Sequence, residues 1–210
     1  MGGVDGGNVA SEMACESYLE KLSDSINSVD DPTLIDRDIL ARFITNSVTK
    51  ANFEVYRESN RVPALRGMGT TLVTAVIKDG MVLVGNVGDS RLYHVTRYSI
   101  KQLTKDHSYV QTLVDMGKIT ESEAAVHPNK NIITRAVGVD QSVECDIGVH
   151  RPEEGYLLLC SDGLSNNMDE KFFIDTVNSH DPLNEKCSNL IRFANSRGGA
   201  DNVTAVLIKL

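Results

Sequence analysis

A change of hydrophobic period near residue 70 constrains the fold of this chain more than any other feature. Thr70–Ile77 and Met81–Val87 are two runs rich in β-branched residues, and Lys78-Asp79-Gly80 joins them, which is a strong signal for a β-hairpin. Both runs are apolar at nearly every position, so other layers of the protein must cover both faces of these strands. The sequence therefore predicts strands inside a layered sandwich.

Helical patterns surround this hairpin. Residues 9–28 predict an amphipathic helix, whose apolar face carries Cys15, Tyr18, Leu19, Leu22 and Ile26. Asp36 is a good N-cap for a second helix that runs to about Tyr56. Further helices are expected near 109–116, 121–125, 169–178 and 184–196, and further strands near 90–96, 98–104, 143–149, 155–160 and 203–208. The strands at 90–96 and 98–104 are expected to continue the hairpin as a meander. This order of elements indicates an α+β fold with helices stacked on sheets.

Composition narrows the classes of function. With 210 residues, 41% hydrophobic and 24% charged, the chain is ordinary for one soluble globular domain. A net charge of -8 argues against nucleic acid as a partner. No stretch reaches the length and apolarity of a membrane span, and the start lacks the pattern of a signal peptide, so we expect a soluble, cytoplasmic protein. The four cysteines show no C-x-x-C spacing, and three of them sit among apolar neighbours, so core packing is expected rather than disulfides or zinc sites.

Two acidic turns follow apolar strands near the C-terminal end. Asp162 stands in Leu157–Gly163, and Asp201 stands in Gly198–Thr204. A carboxylate at the end of a buried strand is unfavourable unless a cation meets it. Carboxylate oxygens suit Mg²⁺ or Mn²⁺, so the pair indicates a metal site. Asp, Gly and Asn are also ordinary turn residues, and these segments alone leave both interpretations open.

Seven short blocks follow one another between residues 68 and 204. They are Met68-Gly69-Thr70-Thr71, Gly85-Asn86-Val87-Gly88-Asp89-Ser90-Arg91, Leu103-Thr104-Lys105-Asp106-His107-Ser108, His127-Pro128, Ile133-Thr134-Arg135-Ala136, Ser161-Asp162-Gly163-Leu164 and Asp201-Asn202-Val203-Thr204. In this order they resemble the metal-dependent, type 2C serine/threonine protein phosphatases, and most closely the compact bacterial type that opposes Ser/Thr protein kinases. Any one block alone would be a weak signal.

The resemblance implies an αββα sandwich of two antiparallel sheets flanked by helices. It also implies a core of two Mn²⁺ or Mg²⁺ ions, whose bridging water attacks phosphoserine or phosphothreonine directly. Asp162 and Asp201 match two ligands of that core, and Asp106 matches a residue of a weaker third metal site. Residues 108 to about 135 match a mobile flap beside the cleft that is expected to select substrates.

Each assignment has a simpler alternative. Asp106 could be an N-cap for the helix that follows, either instead of a metal role or together with it. Asp89 is expected to be structural, satisfying backbone donors at a strand junction. His107 resembles a general acid, but a role at the helix start or in solvent is preferred, and Asn202 is expected to shape the turn beside Asp201.

The family's first catalytic motif, Asp-Gly-Met-Gly-Gly, aligns with the start of the chain only in part. Matching its Met-Gly-Gly to Met1-Gly2-Gly3 also aligns Gly7, Ala10 and Ser11, and leaves the bridging aspartate, a phosphate-binding arginine and the first strands before residue 1. Asp5-Gly6 would shift every later match by six residues. We therefore expect a single phosphatase domain truncated at its N-terminus, with little activity as written, and assign no catalytic residue beyond the metal ligands.

The preferred function is metal-dependent hydrolysis of phosphoserine and phosphothreonine on proteins. The expected partners are phosphorylated proteins and a Ser/Thr protein kinase, with no nucleic acid and no membrane. One alternative is a pseudophosphatase that binds phosphoproteins or a kinase without turnover. Another is a phosphatase that acts on an anti-sigma-factor antagonist.

Overall fold

The computed structural model describes residues 3–199 and 201–210 of the chain. Its helices are α1 (Gly3–Asn27), α2 (Arg37–Arg61), α3 (Tyr109–Asp115), α4 (Glu121–Ala125), α5 (Asp162–Ser165), α6 (Glu170–Val177) and α7 (Leu183–Ser196). Its strands are β1 (Leu72–Lys78), β2 (Met81–Val87), β3 (Arg91–Val95), β4 (Ile100–Gln102), β5 (Asp146–His150), β6 (Tyr156–Cys160) and β7 (Ala205–Lys209). Short 3₁₀ turns at Pro32–Leu34 and Pro63–Leu65 precede and follow α2.

The predicted hairpin is present, and its turn has the chemistry that the sequence indicated. Asp79 and Gly80 adopt positive φ angles of 50° and 71° between β1 and β2, as a two-residue turn between twisted strands requires. All seven residues of β2 are buried, so the prediction of a strand covered on both faces is confirmed for β2. It is wrong for β1, where only two of seven residues are buried and Ile77 is 43% exposed.

The predicted four-strand meander is wrong. One sheet has the order β1-β2-β5, and the other has the order β4-β3-β6-β7. β3 pairs with β4 as expected, but its other neighbour is β6 rather than β2. The chain changes sheet at Gly88, whose φ of 104° breaks the extended backbone after β2. The α+β class and the two antiparallel sheets are confirmed.

The described chain forms two compact units, and one consists of residues 73–84, 89–106 and 148–210. Within this unit Val82 and Val84 of one sheet pack against Leu92 and Leu157 of the other. The opposite face of β3, β6 and β7 packs on the last three helices, where Phe173, Val177, Leu190 and Ala194 are fully buried. Alternation along β6 divides its side chains between these two cores.

The other unit consists of residues up to 72 together with 85–88 and 107–147. In this unit Asn52 joins α2 to the loop at residues 138–140. The Asn52 side-chain oxygen accepts from Gly138 N–H (2.7 Å), and its amide group donates to Asp140 O (3.0 Å). Asp36 caps α2 through Ile39 N–H, as predicted. Buried amide groups with both ends paired fix the loop that they bridge.

The helices differ from prediction in details. The inward face of α1 carries Ala10, Ala14, Tyr18 and Leu22, whereas the sequence assigned Cys15 and Leu19 to that face; Leu19 is 59% exposed. Ala10 and Ala14 are fully buried and, being four residues apart, share one face of α1. All four cysteines are free, but only Cys160 is fully buried; Cys145 and Cys187 are half-buried and Cys15 is exposed, so the expected core position is wrong for Cys15.

A buried lysine was not predicted. Lys186 of α7 is 3% exposed, and its ammonium group donates to Val177 O (2.7 Å) and to the Tyr156 hydroxyl (3.1 Å). It therefore serves the open carbonyl end of α6, where a cation is favourable. Across the residues that the structure describes, no helix is both long and apolar enough to cross a bilayer.

Candidate metal and phosphate-transfer site

The first acidic turn lies where β6 ends. Ser161 is the N-cap position and Asp162 the first residue of α5, so the carboxylate of Asp162 sits at the start of a short helix and accepts from Gly163 N–H. Burial, and then the nearby charge of Asp201, raise the pKa of Asp162 above its ordinary value. The structure therefore brings the two predicted ligands close enough for their charges to interact.

The second acidic turn precedes β7 and is open to solvent. Gly198 and Gly199 have φ angles of 127° and 55°, which lets the chain reverse sharply after α7. Asp201 is exposed, and one of its carboxylate oxygens accepts from Asn202 N–H at 2.7 Å. The backbone of Asn202 shapes the turn beside Asp201, as the sequence predicted.

Asp89 belongs to the same electrostatic cluster, which the sequence analysis missed. It follows β2 in the Gly88–Ser90 turn and is partly buried. Burial, followed by the charges of Asp162 and Asp106, raises the pKa of Asp89 to about 6. Asp162 was predicted as a ligand because it is an aspartate at the end of a buried strand. The same criterion would have identified Asp89 as a candidate ligand.

Asp106 is held in an ion pair. Arg91 donates to it in a bidentate manner, through Nε to Oδ1 (2.9 Å) and Nη2 to Oδ2 (2.6 Å), and Gln102 adds a third hydrogen bond (2.9 Å). The remaining arm of Arg91 donates to the Tyr93 hydroxyl at 3.0 Å. Asp106 is not the N-cap of α3: Ser108 takes that position and accepts from Gln111 N–H.

His107 is buried in the other unit and is neither solvent-exposed nor a helix cap. Its Nδ1 accepts from Gly88 N–H (2.9 Å), and its Nε2 lies 3.1 Å from Asp146 Oδ2 and 3.0 Å from Arg135 Nη1. Arg135 donates to the other oxygen of Asp146 at 2.6 Å. Burial would raise the pKa of Asp146, but the hydrogen bonds from His107 and Arg135 outweigh it and hold that pKa below its ordinary value.

The carboxylate oxygens of Asp162, Asp201 and Asp89 are suitable ligands for a hard cation, but they are few. Among residues 3–199 and 201–210, no group of three or more His, Cys, Asp or Glu side chains converges as a closed metal cage. Asp162 interacts electrostatically with both Asp201 and Asp89. Mg²⁺-like ions are commonly held by one or two carboxylates and several waters, so these residues fit such an open site.

Comparison with known proteins places the chain in a family. The model of the family described as protein phosphatase 2C matches residues 1–207. The serine/threonine phosphatase stp of Listeria monocytogenes is 39% identical over 210 residues, which is 100% of this chain and 81% of that protein. The protein phosphatase PhpP of Streptococcus pneumoniae is 37% identical over 215 residues, covering 100% of this chain and 82% of the relative.

Solved structures of bacterial serine/threonine phosphatases are also similar to this chain. The serine/threonine phosphatase PstP/Ppp of Mycobacterium tuberculosis has a TM-score of 0.84 and 33% identity, covering 100% of this chain and 85% of that one. The catalytic domain of PstP in complex with two manganese ions has a TM-score of 0.80 and 34% identity, covering 99% of this chain and 83% of that one.

The chain belongs to the protein phosphatase 2C family. The predicted family and the predicted class of enzyme, a protein serine/threonine phosphatase, are therefore confirmed.

Proposed function

We propose that this chain hydrolyses phosphoserine and phosphothreonine on proteins, with Mn²⁺ or Mg²⁺ held at Asp162 and Asp201 and with Asp89 beside them. The observation that carries the assignment is the gathering of Asp162, Asp201 and Asp89 at strand ends, where burial and the neighbouring carboxylates raise the pKa of Asp162 and of Asp89. Perturbed pKa values cluster at functional sites. A divalent cation bound here would favour the charged form of both carboxylates and lower their pKa values again.

The chain's own residues prepare such a site. Gly163 N–H orients the Asp162 carboxylate, and Asn202 N–H orients that of Asp201. Arg91 is the cation that acts on both Asp89 and Asp162, but its guanidinium group is bonded to Asp106 and Tyr93. Divalent cations bound here would lower the pKa of water and neutralise charge on a phosphoryl group.

Asp106 remains the candidate for the third metal position. Its oxygens already accept four hydrogen bonds, three from Arg91 and one from Gln102. A carboxylate has about four acceptor positions, so a cation would have to share them with Arg91. Substitution of Asp106 separates a ligand role from an ion-pair role.

The flap assigned to residues 108 to about 135 is proposed to select substrates. This segment carries α3 and α4, and a β-bridge between Ser108 and Ile133 ties its two ends together. Met116 and Val126 within it are 62% and 82% exposed. Exposed apolar side chains on such a closed segment are available to contact a phosphoprotein. The enzyme that phosphorylates this substrate is proposed to be a Ser/Thr protein kinase.

The test combines binding with turnover. Mn²⁺ titration by isothermal calorimetry of the unmodified chain should give heat of binding that Asp162→Asn removes. Release of inorganic phosphate from a phosphothreonine peptide should require Mn²⁺ or Mg²⁺ and should fall in the same variant. Equal Mn²⁺ affinity and equal phosphate release in Asp162→Asn and the unmodified protein would refute the proposal.

A further inference from the structure

The Ser161 hydroxyl joins the two acidic turns. Its Oγ donates to Asn202 O (3.1 Å) and accepts from Thr204 N–H (3.0 Å), which are 41 and 43 residues away in the sequence. A serine at an N-cap position ordinarily accepts from the N–H groups of its own helix. Here the side chain makes no such bond with α5. The hydroxyl is used for the neighbouring turn instead.

The position of this bond explains what it fixes. The ladder between β6 and β7 ends at the pair Cys160 and Ala205. One residue further, Ser161 N–H donates to Thr204 O at 3.3 Å, and the Ser161 side chain adds its two bonds. The residues after this point are Asp162 on one strand end and Asp201 before the other. Ser161 therefore extends the strand pairing to the base of both carboxylates.

Gly163 adds a second constraint on the same carbonyl group. A Cβ at Gly163 would lie 2.4 Å from Asn202 O and 3.1 Å from Asn202 C. Only glycine permits the two backbones to come this close. The Asn202 carbonyl thus lies between the Ser161 hydroxyl and the Gly163 backbone, and the separation of the two turns is set from both sides.

We infer that Ser161 is a positioning residue that sets the distance between the carboxylates of Asp162 and Asp201. This inference rests on the proposed function, because the distance between the two carboxylates matters only if they bind a shared cation. The two like charges repel each other, and the turn of Asp201 is exposed and begins with two glycines of positive φ. Without the hydroxyl, the turn is free to move Asp201 away, and the pair loses its hold on a cation.

The experiment compares matched serine variants by Mn²⁺ calorimetry and thermal melting. Ser161→Ala should weaken Mn²⁺ affinity by about 10- to 100-fold, the range found for groups that orient metal ligands. Ser161→Thr keeps the hydroxyl at an N-cap that accepts threonine, and should restore affinity to within about threefold. Ser188→Ala is the control, since Ser188 donates only to Asn184 O within α7.

Melting temperatures distinguish a displaced Asp201 turn from a protein that no longer folds. If Ser161→Ala does not fold, Ser161→Cys replaces it, because cysteine keeps the side-chain volume and forms weaker hydrogen bonds. An Mn²⁺ affinity of Ser161→Ala within about twofold of the unmodified protein, measured where Asp162→Asn abolishes binding, would overturn the positioning role alone. Unchanged binding in Asp162→Asn would overturn the proposed function and this inference together.

Discussion

Two carboxylates in this protein, the exposed Asp146 and the half-buried Asp162, have pKa values that move in opposite directions. Asp146 has Arg135 and the imidazole of His107 against its two oxygens, and its pKa is lowered. Asp162 has the N–H of Gly163 and the charge of Asp201, and its pKa is raised. Burial acts in the same direction on both, so the difference lies in the hydrogen bonds and charges that the neighbours supply.

The difference shows which acids this fold completes by itself. Asp146, like Asp106 with Arg91, receives its counter-charge from the same chain. Asp162 and Asp89 are placed beside other carboxylates instead. Natural proteins retain such unfavourable arrangements mainly at functional sites. Four substitutions test this contrast between self-paired and cation-requiring acids.

The largest effect is expected from Asp162→Asn. The variant should lose Mn²⁺ binding and phosphatase activity, because the acid shared by the cluster has lost its charge. It should also raise the melting temperature of the metal-free protein, since removal of a repelled carboxylate stabilises the fold by up to about 1 kcal/mol, or about 2–4 °C. A lower melting temperature in the absence of metal would contradict the contrast. Asp169→Asn, which changes only the cap of α6, is the control.

Asp106→Asn should have the opposite balance. The Asp106 side chain is 10% exposed and that of Arg91 is 27% exposed, so breaking their pair should destabilise the protein by about 2–3 kcal/mol after allowance for solvent at Arg91. Mn²⁺ affinity should fall less than in Asp162→Asn. If calorimetry gives equal losses in the two variants, Asp106 is a ligand as well as the partner of Arg91.

Gly163→Ala should lie between these cases. The added Cβ would meet the backbone of Asn202 at 2.4 Å, and overpacking of this kind destabilises by about 1–3 kcal/mol. Because the contact separates the two acidic turns, Mn²⁺ affinity should fall together with the melting temperature. Gly80→Ala is a useful control, since a Cβ there meets no atom within 4 Å although its φ is positive. A loss of Mn²⁺ affinity in that control would contradict this explanation.

The smallest effect is expected from Asp146→Asn, and it depends on pH. The folded-state pKa of Asp146 is below its unfolded value, so its stabilisation is present above a pH of about 3.9 and disappears as pH falls through the folded pKa. The side chain is 48% exposed, and we expect a loss of about 0.5–1 kcal/mol at pH 7. Thermal melts should give a gap between variant and unmodified protein at pH 7 that closes near pH 3. A gap that widens in acid would contradict the sign.

Much of the fold followed from local patterns. The β1–β2 hairpin was predictable from apolar runs around a Lys-Asp-Gly turn, and the start of α2 from the cap at Asp36, since both signals act within a few residues. The meander failed because the pairing of β3 with β6 joins residues more than 60 positions apart. No local signal distinguishes β2 from β6 as the neighbour of β3.

The sequence by itself determined the class of fold, the family and the two acidic turns that became candidate ligands, because each is a short pattern of residue types. Tertiary structure alone decided that Asp106 has its own cation in Arg91, that Asp89 joins Asp162, and that the Ser161 hydroxyl reaches Asn202 and Thr204. Charge interaction and hydrogen bonding depend on distance in space. These distances are set by the pairing of strands that lie far apart in the chain.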